Sequence, residues 1–190
     1  WYYLRNILRI LRDVQAEEAL PYLEIMTGWS DFRLKLEIIK TLEGMRAEDG
    51  GKLLEKLSGD QDPEIRKAAI IAMGLTGHPD MIPRLLSIFR REPDCRVNSI
   101  ASIGLIGGPL ARDRLIGMFE DEEFFVNLNL SKRETEQVRI AILKALSRIG
   151  DEAAMAKLEE YSRMSFSKSL FKKDLLSNTA KIILNTKGKV

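Results

Sequence analysis

Asp62-Pro63-Glu64-Ile65-Arg66-Lys67-Ala68-Ala69-Ile70-Ile71-Ala72-Met73-Gly74-Leu75-Thr76-Gly77 is the stretch on which the fold turns. It reads as one helix with both ends marked. Asp62 is a good N-cap, because its carboxylate can accept from backbone N–H groups one turn on. Pro63 suits the first helical position, where no intrahelical N–H bond is needed. Glu64 places negative charge at the positive end of the helix dipole. Ile65, Ala68, Ala69, Ala72 and Met73 form one apolar stripe at helical spacing. The small residues Ala69, Ala72 and Gly74 let another helix come close, and Gly77 can take the left-handed conformation that ends a helix. A second helix is expected from Pro79-Asp80, carrying Ile82, Leu85, Leu86 and Phe89.

The pattern repeats. Glu92-Pro93-Asp94-Cys95-Arg96 and Ser102-Ile103-Gly104-Leu105-Ile106-Gly107 lie under their counterparts thirty residues earlier. Val138-Arg139 and Ala145-Leu146-Ser147-Arg148-Ile149-Gly150 repeat it again. Upstream copies are looser: Asp31, Leu34-Lys35 and Thr41-Leu42, then Tyr3-Leu4, Ile10-Leu11 and Val14. The Arg66 position reads Leu4, Lys35, Arg66, Arg96, Arg139, at steps of 31, 31, 30 and 43. The second helices share Leu23, Leu54, Leu85, Leu115 and Leu158. Agreement in both helices of five copies marks a repeat architecture, in which each unit leans on its neighbours.

These motifs resemble HEAT repeats, in particular the short bacterial HEAT-like form with a D-P-x-V-R…A-L-G-x-I-G core, as in phycobilisome-lyase-type repeats. The resemblance spans about residues 3–162 and implies an all-α fold, a right-handed α-α superhelix. Five helix pairs are expected, at about 1–28, 31–58, 62–91, 92–121 and 135–163. An insertion at 121–134 and a C-terminal capping helix at 168–186 complete a single solenoid domain over 1–190. The first copy departs most, with Leu4 and Gln15 in place of the Arg and the final Gly. The resemblance also implies that the Arg66, Arg96 and Arg139 series bonds acidic groups or carbonyls in turns of adjacent repeats. It places the second helices on the concave side.

Composition fits. The 190 residues are 45% hydrophobic, enough for a continuous core. A net charge of +2 gives no bulk attraction to nucleic acid or to an anionic membrane. No apolar run approaches the ~18 residues of a membrane span, and no signal-peptide pattern is present. One cysteine rules out an internal disulfide and suits a reducing, cytoplasmic setting. Trp1-Tyr2-Tyr3 starts mid-helix without a cap, so the sequence is expected to be a fragment of a longer chain.

Two surfaces are candidates for binding another protein or peptide. On the second helices, the residue before the shared leucine reads Tyr22, Leu53, Arg84, Arg114, Lys157, with Arg91 near an end. Ile25, Lys56, Ser87, Gly117 and Glu160 lie three residues further along. This mildly basic row is either a solvated face or a groove for an acidic or mixed peptide surface. Arginine is common at interaction hot spots. The second surface is the insertion. Phe124, Phe125, Val126, Leu128 and Leu130 make it greasy, and Val126, Leu128 and Leu130 alternate with asparagines at the period of a strand. Such a strand could pair with a partner or with a second copy; alternatively, Phe124 and Leu128 cover the core between repeats. The basic end, with Lys168, Lys172, Lys173, Lys181, Lys187 and Lys189, is either a solvated cap or a site for an acidic surface.

Residues for catalysis, metals or cofactors are not grouped in the sequence. His78 sits at a Gly-His-Pro turn, and Cys95 occupies the buried Ile65 position. Asp60 and Asp62 suit a turn and a helix start, and no Cys/His/carboxylate spacing suggests zinc. The expected function is therefore a non-catalytic protein-interaction scaffold without a cofactor. Two alternatives remain. One is a nucleic-acid-binding solenoid like the HEAT-like alkylpurine DNA glycosylases, on a thin strip of Arg84, Arg91, Arg114 and Lys157. The other is a phycobilin-lyase-like accessory enzyme, for which Glu55, Glu159 and Glu160 are the candidate carboxylates.

Overall fold

The computed structural model describes residues 1–45, 48–164 and 175–187. All regular structure among them is helical. The first residues form α1 (Tyr2–Val14), a short 3-10 turn at Glu17–Ala19 and α2 (Leu20–Thr27). Next come α3 (Phe32–Gly44) and α4 (Glu48–Leu57), then α5 (Pro63–Leu75) and α6 (Met81–Arg91). A 3-10 turn at Pro93–Cys95 leads into α7 (Arg96–Ile106), followed by α8 (Gly108–Glu120). The chain continues as α9 (Glu122–Asn127), α10 (Lys132–Ile149), α11 (Glu152–Arg163) and α12 (Leu175–Lys187). This is an all-α, HEAT-like repeat fold.

The caps behave as their residue types require. Asp31 accepts from the Arg33 and Leu34 N–H groups, and Asp62 accepts from the Glu64 N–H at 2.8 Å. Gly77 and Gly150 are left-handed, at φ 68° and 66°. In the first copy Gln15 takes over this role at φ 52°, and its side-chain amide donates to the Gly44 carbonyl at 3.1 Å. The position lacking glycine thus becomes a tie to the next repeat. In the fourth copy Pro93–Cys95 is a 3-10 turn, and Glu92 makes no capping side-chain bond. The α-helix there starts only at Arg96, later in the register than α5.

Residues 1–102 and 103–190 form two compact units, dividing within α7. In the first unit α3 packs against both α1 and α5, while α4 packs against both α2 and α6. Two rows of helices result, with the core between them. Leu23, Leu54 and Leu85, one from each second helix, are all buried there. In the second unit α10 is central and packs on α8, α11 and α12. Leu115 and Leu158 occupy the same buried place in this unit. Burying an aliphatic side chain of this size contributes about 1.5–3 kcal/mol, and each leucine of the series adds a stabilisation of that order to the core it sits in.

Two positions require glycine for space. A Cβ on Gly74 would lie 2.9 Å from the Ser102 Cα, and one on Gly104 would lie 2.9 Å from the Ala145 Cα. Each glycine lets the first helix of one copy press onto a small residue of the next, at the position that Ala72 holds in its own copy.

The insertion differs from the strand expected of it. Phe124 to Asn127 belong to α9, and Leu128 to Leu130 form the turn that follows. Asp121 caps α9 by accepting from the Phe124 N–H, and Glu122 and Glu123 supply its acidic first turn. Asn129 is left-handed at φ 51°, a conformation asparagine tolerates better than most residues. The alternation of Val126, Leu128 and Leu130 is therefore not a strand signal: local capping outweighs it. The fifth copy then begins at α10 with a capping box, Ser131 and Glu134 each binding the other's backbone N–H.

At the C-terminal end α12 packs on α10 and α11, burying Leu176 and Ala180. The Ser177 hydroxyl donates to the Ser162 carbonyl at 2.7 Å. A capping helix is thus present from Leu175. Residues 168–174 of the expected helix, with Lys168, Lys172 and Lys173, lie outside the described residues, as does Lys189.

Candidate binding surface

The basic series on the first helices is structural. Lys35 donates to Asp60 at 2.5 Å, in the turn before α5. Arg66 pairs with Asp94 and also donates to the Asp60 and Gln61 carbonyls. Arg96 reaches the Phe89 carbonyl at 3.4 Å. Arg139 pairs with Glu122 at 2.5 Å and covers the Phe125 ring at 4.9 Å. These cations tie helices to neighbouring turns, as the resemblance implied. Burial alone would raise the Asp60 carboxyl, but the Lys35 ammonium and the Asp62 N–H outweigh it and hold the acid below its ordinary value.

The second helices carry less free positive charge than their sequence suggests. Arg84 pairs with Glu55 at 2.6 Å, and Arg91 approaches the same carboxylate at 3.7 Å. Lys157 pairs with Glu120 at 2.9 Å and with Glu160 at 3.0 Å. The Tyr161 hydroxyl also donates to Glu120, and its ring stacks on Phe119. The Lys157 bond, then that of Tyr161, hold the Glu120 carboxyl below its ordinary value against the effect of burial. Burial, then the Glu120 carboxylate, push the Tyr161 phenol strongly upward. Arg114 is exposed on α8. A cation held by a carboxylate must give up that partner to bind phosphate, so this arrangement counts against duplex binding.

Two concavities flank α2. One lies between α2 and α4 and has a volume of about 520 Å³. Its floor is Leu20 and Leu53; Glu17, Glu18 and Glu24 stand on one side, and Lys52 and Lys56 on the other. Lys56 bridges to Glu24 at 3.2 Å, with both side chains exposed. Ile25 is exposed on α2, one residue past Glu24. The other concavity, of about 420 Å³, lies between α1 and α2 and includes Tyr22. The sequence register puts Tyr22 in one row with Leu53 and Arg84; its side chain instead lines the α1 side of α2.

The insertion divides into inner and outer residues. Phe125 is buried, its ring 5.5 Å from that of Phe124, which is half-buried. Leu128 and Leu130 are half-buried and Val126 is exposed. The core residue is Phe125, not the Phe124 and Leu128 expected in that place. Asp121-Glu122-Glu123 and Ser131-x-x-Glu134 are the readable signals for this arrangement.

The Cys95 thiol is buried, and burial raises it above its ordinary value, as suits a core thiol. The His78 carbonyl accepts from the Met81 N–H at the start of α6, consistent with a turn. Among the described residues, no group of three His, Cys, Asp or Glu side chains could hold a metal ion. No helix among them is long and apolar enough to cross a membrane.

Comparison with known families matches residues 23–106 and 51–131 to HEAT repeats, and residues 138–163 to the PBS lyase HEAT-like repeat. No curated protein matches the chain.

Proposed function

Because this chain belongs to the HEAT-repeat family, we propose that it is a non-catalytic scaffold that binds a peptide segment of another protein. The segment lies on α2 and α4, in the concavity between Glu17, Glu18 and Glu24 on one side and Lys52 and Lys56 on the other. That concavity carries the proposal: it joins an apolar floor to rims of opposite charge, with Ile25 exposed nearby. A segment with an aliphatic anchor between a basic and an acidic residue complements all three features. Rim charges of this kind set orientation and association rate more than affinity; the apolar floor supplies the area removed from water. The single buried cysteine accords with a reducing, cytoplasmic setting. A catalytic role draws no support from Glu55, Glu159 and Glu160, which are engaged by Arg84, Arg163 and Lys157.

The test is retention of partners by wild type, by Ile25→Ser/Lys56→Ser and by Val126→Ser. All three substituted side chains are exposed, so folding is preserved. A partner lost only by the α2–α4 variant supports the proposal. One lost only by Val126→Ser transfers the site to the insertion and refutes it.

A further inference from the structure

A second cavity opens where the α2–α4 concavity ends. It has a volume of about 410 Å³ and lies between the turn after α2 and the turn after α4. Trp29 and Ser30 come from the first turn, Asp60 and Gln61 from the second, and Lys35 of α3 and Lys56 of α4 stand with them. Lys56 lines the α2–α4 concavity as well, so the two hollows share that side chain. Every wall lies between Thr27 and Gln61, which builds the cavity from the first two helix pairs and the turn that follows them. Its chemistry is one-sided. Lysine and tryptophan side chains donate and do not accept, and a serine hydroxyl or glutamine amide can donate as well. The carboxylate in the lining, Asp60, is already engaged at both oxygens: Oδ2 accepts from the Lys35 ammonium at 2.5 Å, and Oδ1 accepts from the Asp62 N–H at 2.9 Å. Lys56 is held more loosely. Its pair with Glu24 spans 3.2 Å with both side chains more than half exposed, a setting in which water competes for both partners. The half-exposed Trp29 ring adds an apolar wall.

We propose that this cavity binds an acidic side chain, glutamate or aspartate, of the same peptide segment that lies on α2 and α4. The inference rests on the α2–α4 reading for the segment itself, and adds to it a second anchoring point and a charge order. A carboxylate only accepts, which complements a lining of donors around an occupied Asp60. Two ammonium groups against one carboxylate favour the same charge. An ammonium carries three donor hydrogens, so Lys56 can keep Glu24 and hold the ligand carboxylate too, without the exchange of partners that a phosphate would demand of Arg84 or Lys157. Spacing links the two hollows. Leu53, in the floor of the first, and Lys56, shared with the second, are about 4.5 Å apart along the α4 axis. An extended chain advances about 3.3 Å per residue and sends alternate side chains to one face. The acid therefore sits about two residues from the aliphatic anchor. The basic residue that meets Glu17 and Glu18 lies on the anchor's other side.

The probe is a display library of random dodecapeptides, selected on the whole wild-type chain and on Ser30→Glu, which sets a carboxylate in the cavity. Ser30 is exposed and precedes the Asp31 cap, and circular-dichroism melting of each protein confirms the fold. Wild type should enrich peptides with an aliphatic residue and an Asp or Glu about two positions from it. Ser30→Glu should keep the aliphatic residue and lose the acid. Fluorescence anisotropy of a labelled synthetic copy of the most enriched peptide then gives affinities. Changing its acid to the corresponding amide should weaken binding to wild type about fivefold, the upper end for an exposed ion pair, and leave binding to Ser30→Glu unchanged. Enriched peptides with the anchor but no acid at that spacing, or an amide peptide that binds wild type as well as the acid, overturn this proposal and leave the α2–α4 site standing. A selection without aliphatic preference, or binding indifferent to Ile25→Ser/Lys56→Ser, overturns the α2–α4 reading and this one with it.

Discussion

Gly74 and Ser102 meet backbone to backbone: a Cβ added to Gly74 would stand 2.9 Å from the Ser102 Cα and 3.0 Å from its carbonyl oxygen. Neither atom is a flexible side-chain end, so the helices themselves would have to separate. Gly74→Ala should therefore destabilise the chain by roughly 1–3 kcal/mol, the range for overpacking a tight core, despite alanine's better helix propensity. Thermal melting checks this. An unchanged or raised midpoint would mean that α5 and α7 are further apart than described.

Ser102 offers the opposite experiment. Its hydroxyl is buried and has no hydrogen-bond partner among the described residues, as is also true of Ser99. The equivalent place in the fifth copy is Ala145, packed on Gly104. Ser102→Ala removes an unsatisfied polar group at constant shape and should stabilise by about 1 kcal/mol. A lower midpoint in urea would show that the hydroxyl has a partner after all.

The insertion provides a paired contrast. Phe125 is buried under Arg139, whereas Val126 next to it is exposed. Phe125→Ala should cost about 3–5 kcal/mol, and Val126→Ser less than about 0.5 kcal/mol. Equal melting curves for the two variants would refute the assignment of Phe125 to the core.

Acid should loosen the first unit. Asp60 and Asp94 have folded-state pKa values below their ordinary ones, held there by Lys35 and Arg66 respectively. A depressed carboxyl contributes stability that is present above its unfolded pKa, about 3.9, and lost as pH falls through the folded value. Unfolding free energy should thus decline below about pH 4. Asp60→Asn should flatten that decline and cost on the order of 1–3 kcal/mol at neutral pH, between the limits for exposed and buried pairs. Denaturant titrations across the acid range measure both. A slope identical to wild type would show that the Lys35 pair plays no part.

Much of the fold is legible in the sequence because repetition averages out local ambiguity. Asp62, Pro63, Gly77 and the leucine series each carry a weak preference, but the same preference recurs in register. The insertion has no second copy, so nothing corrects the period-two reading of Val126, Leu128 and Leu130. There the deciding signals are local, Asp121 as cap and Ser131 with Glu134 as box. The surface is less legible still. Arg84 and Lys157 look available in a linear sequence, and their neutralisation depends on Glu55 and Glu120, 29 and 37 residues away. Tyr22 shows a finer limit: the register gives its position on α2 but not which of two flanking concavities its ring enters.

Lys35 reaches forward 25 residues to Asp60, and Arg66 reaches forward 28 to Asp94. Each helix pair in this region thus holds the threshold of its successor. The two acids stand at different places in the register, Asp60 two residues before Asp62 and Asp94 two residues after Glu92, so the two joints are alike in kind and distinct in construction. Removal of either acid strands the cation that reaches it. Each joint is thus particular to the two repeats it connects, and these two joints do not substitute for one another.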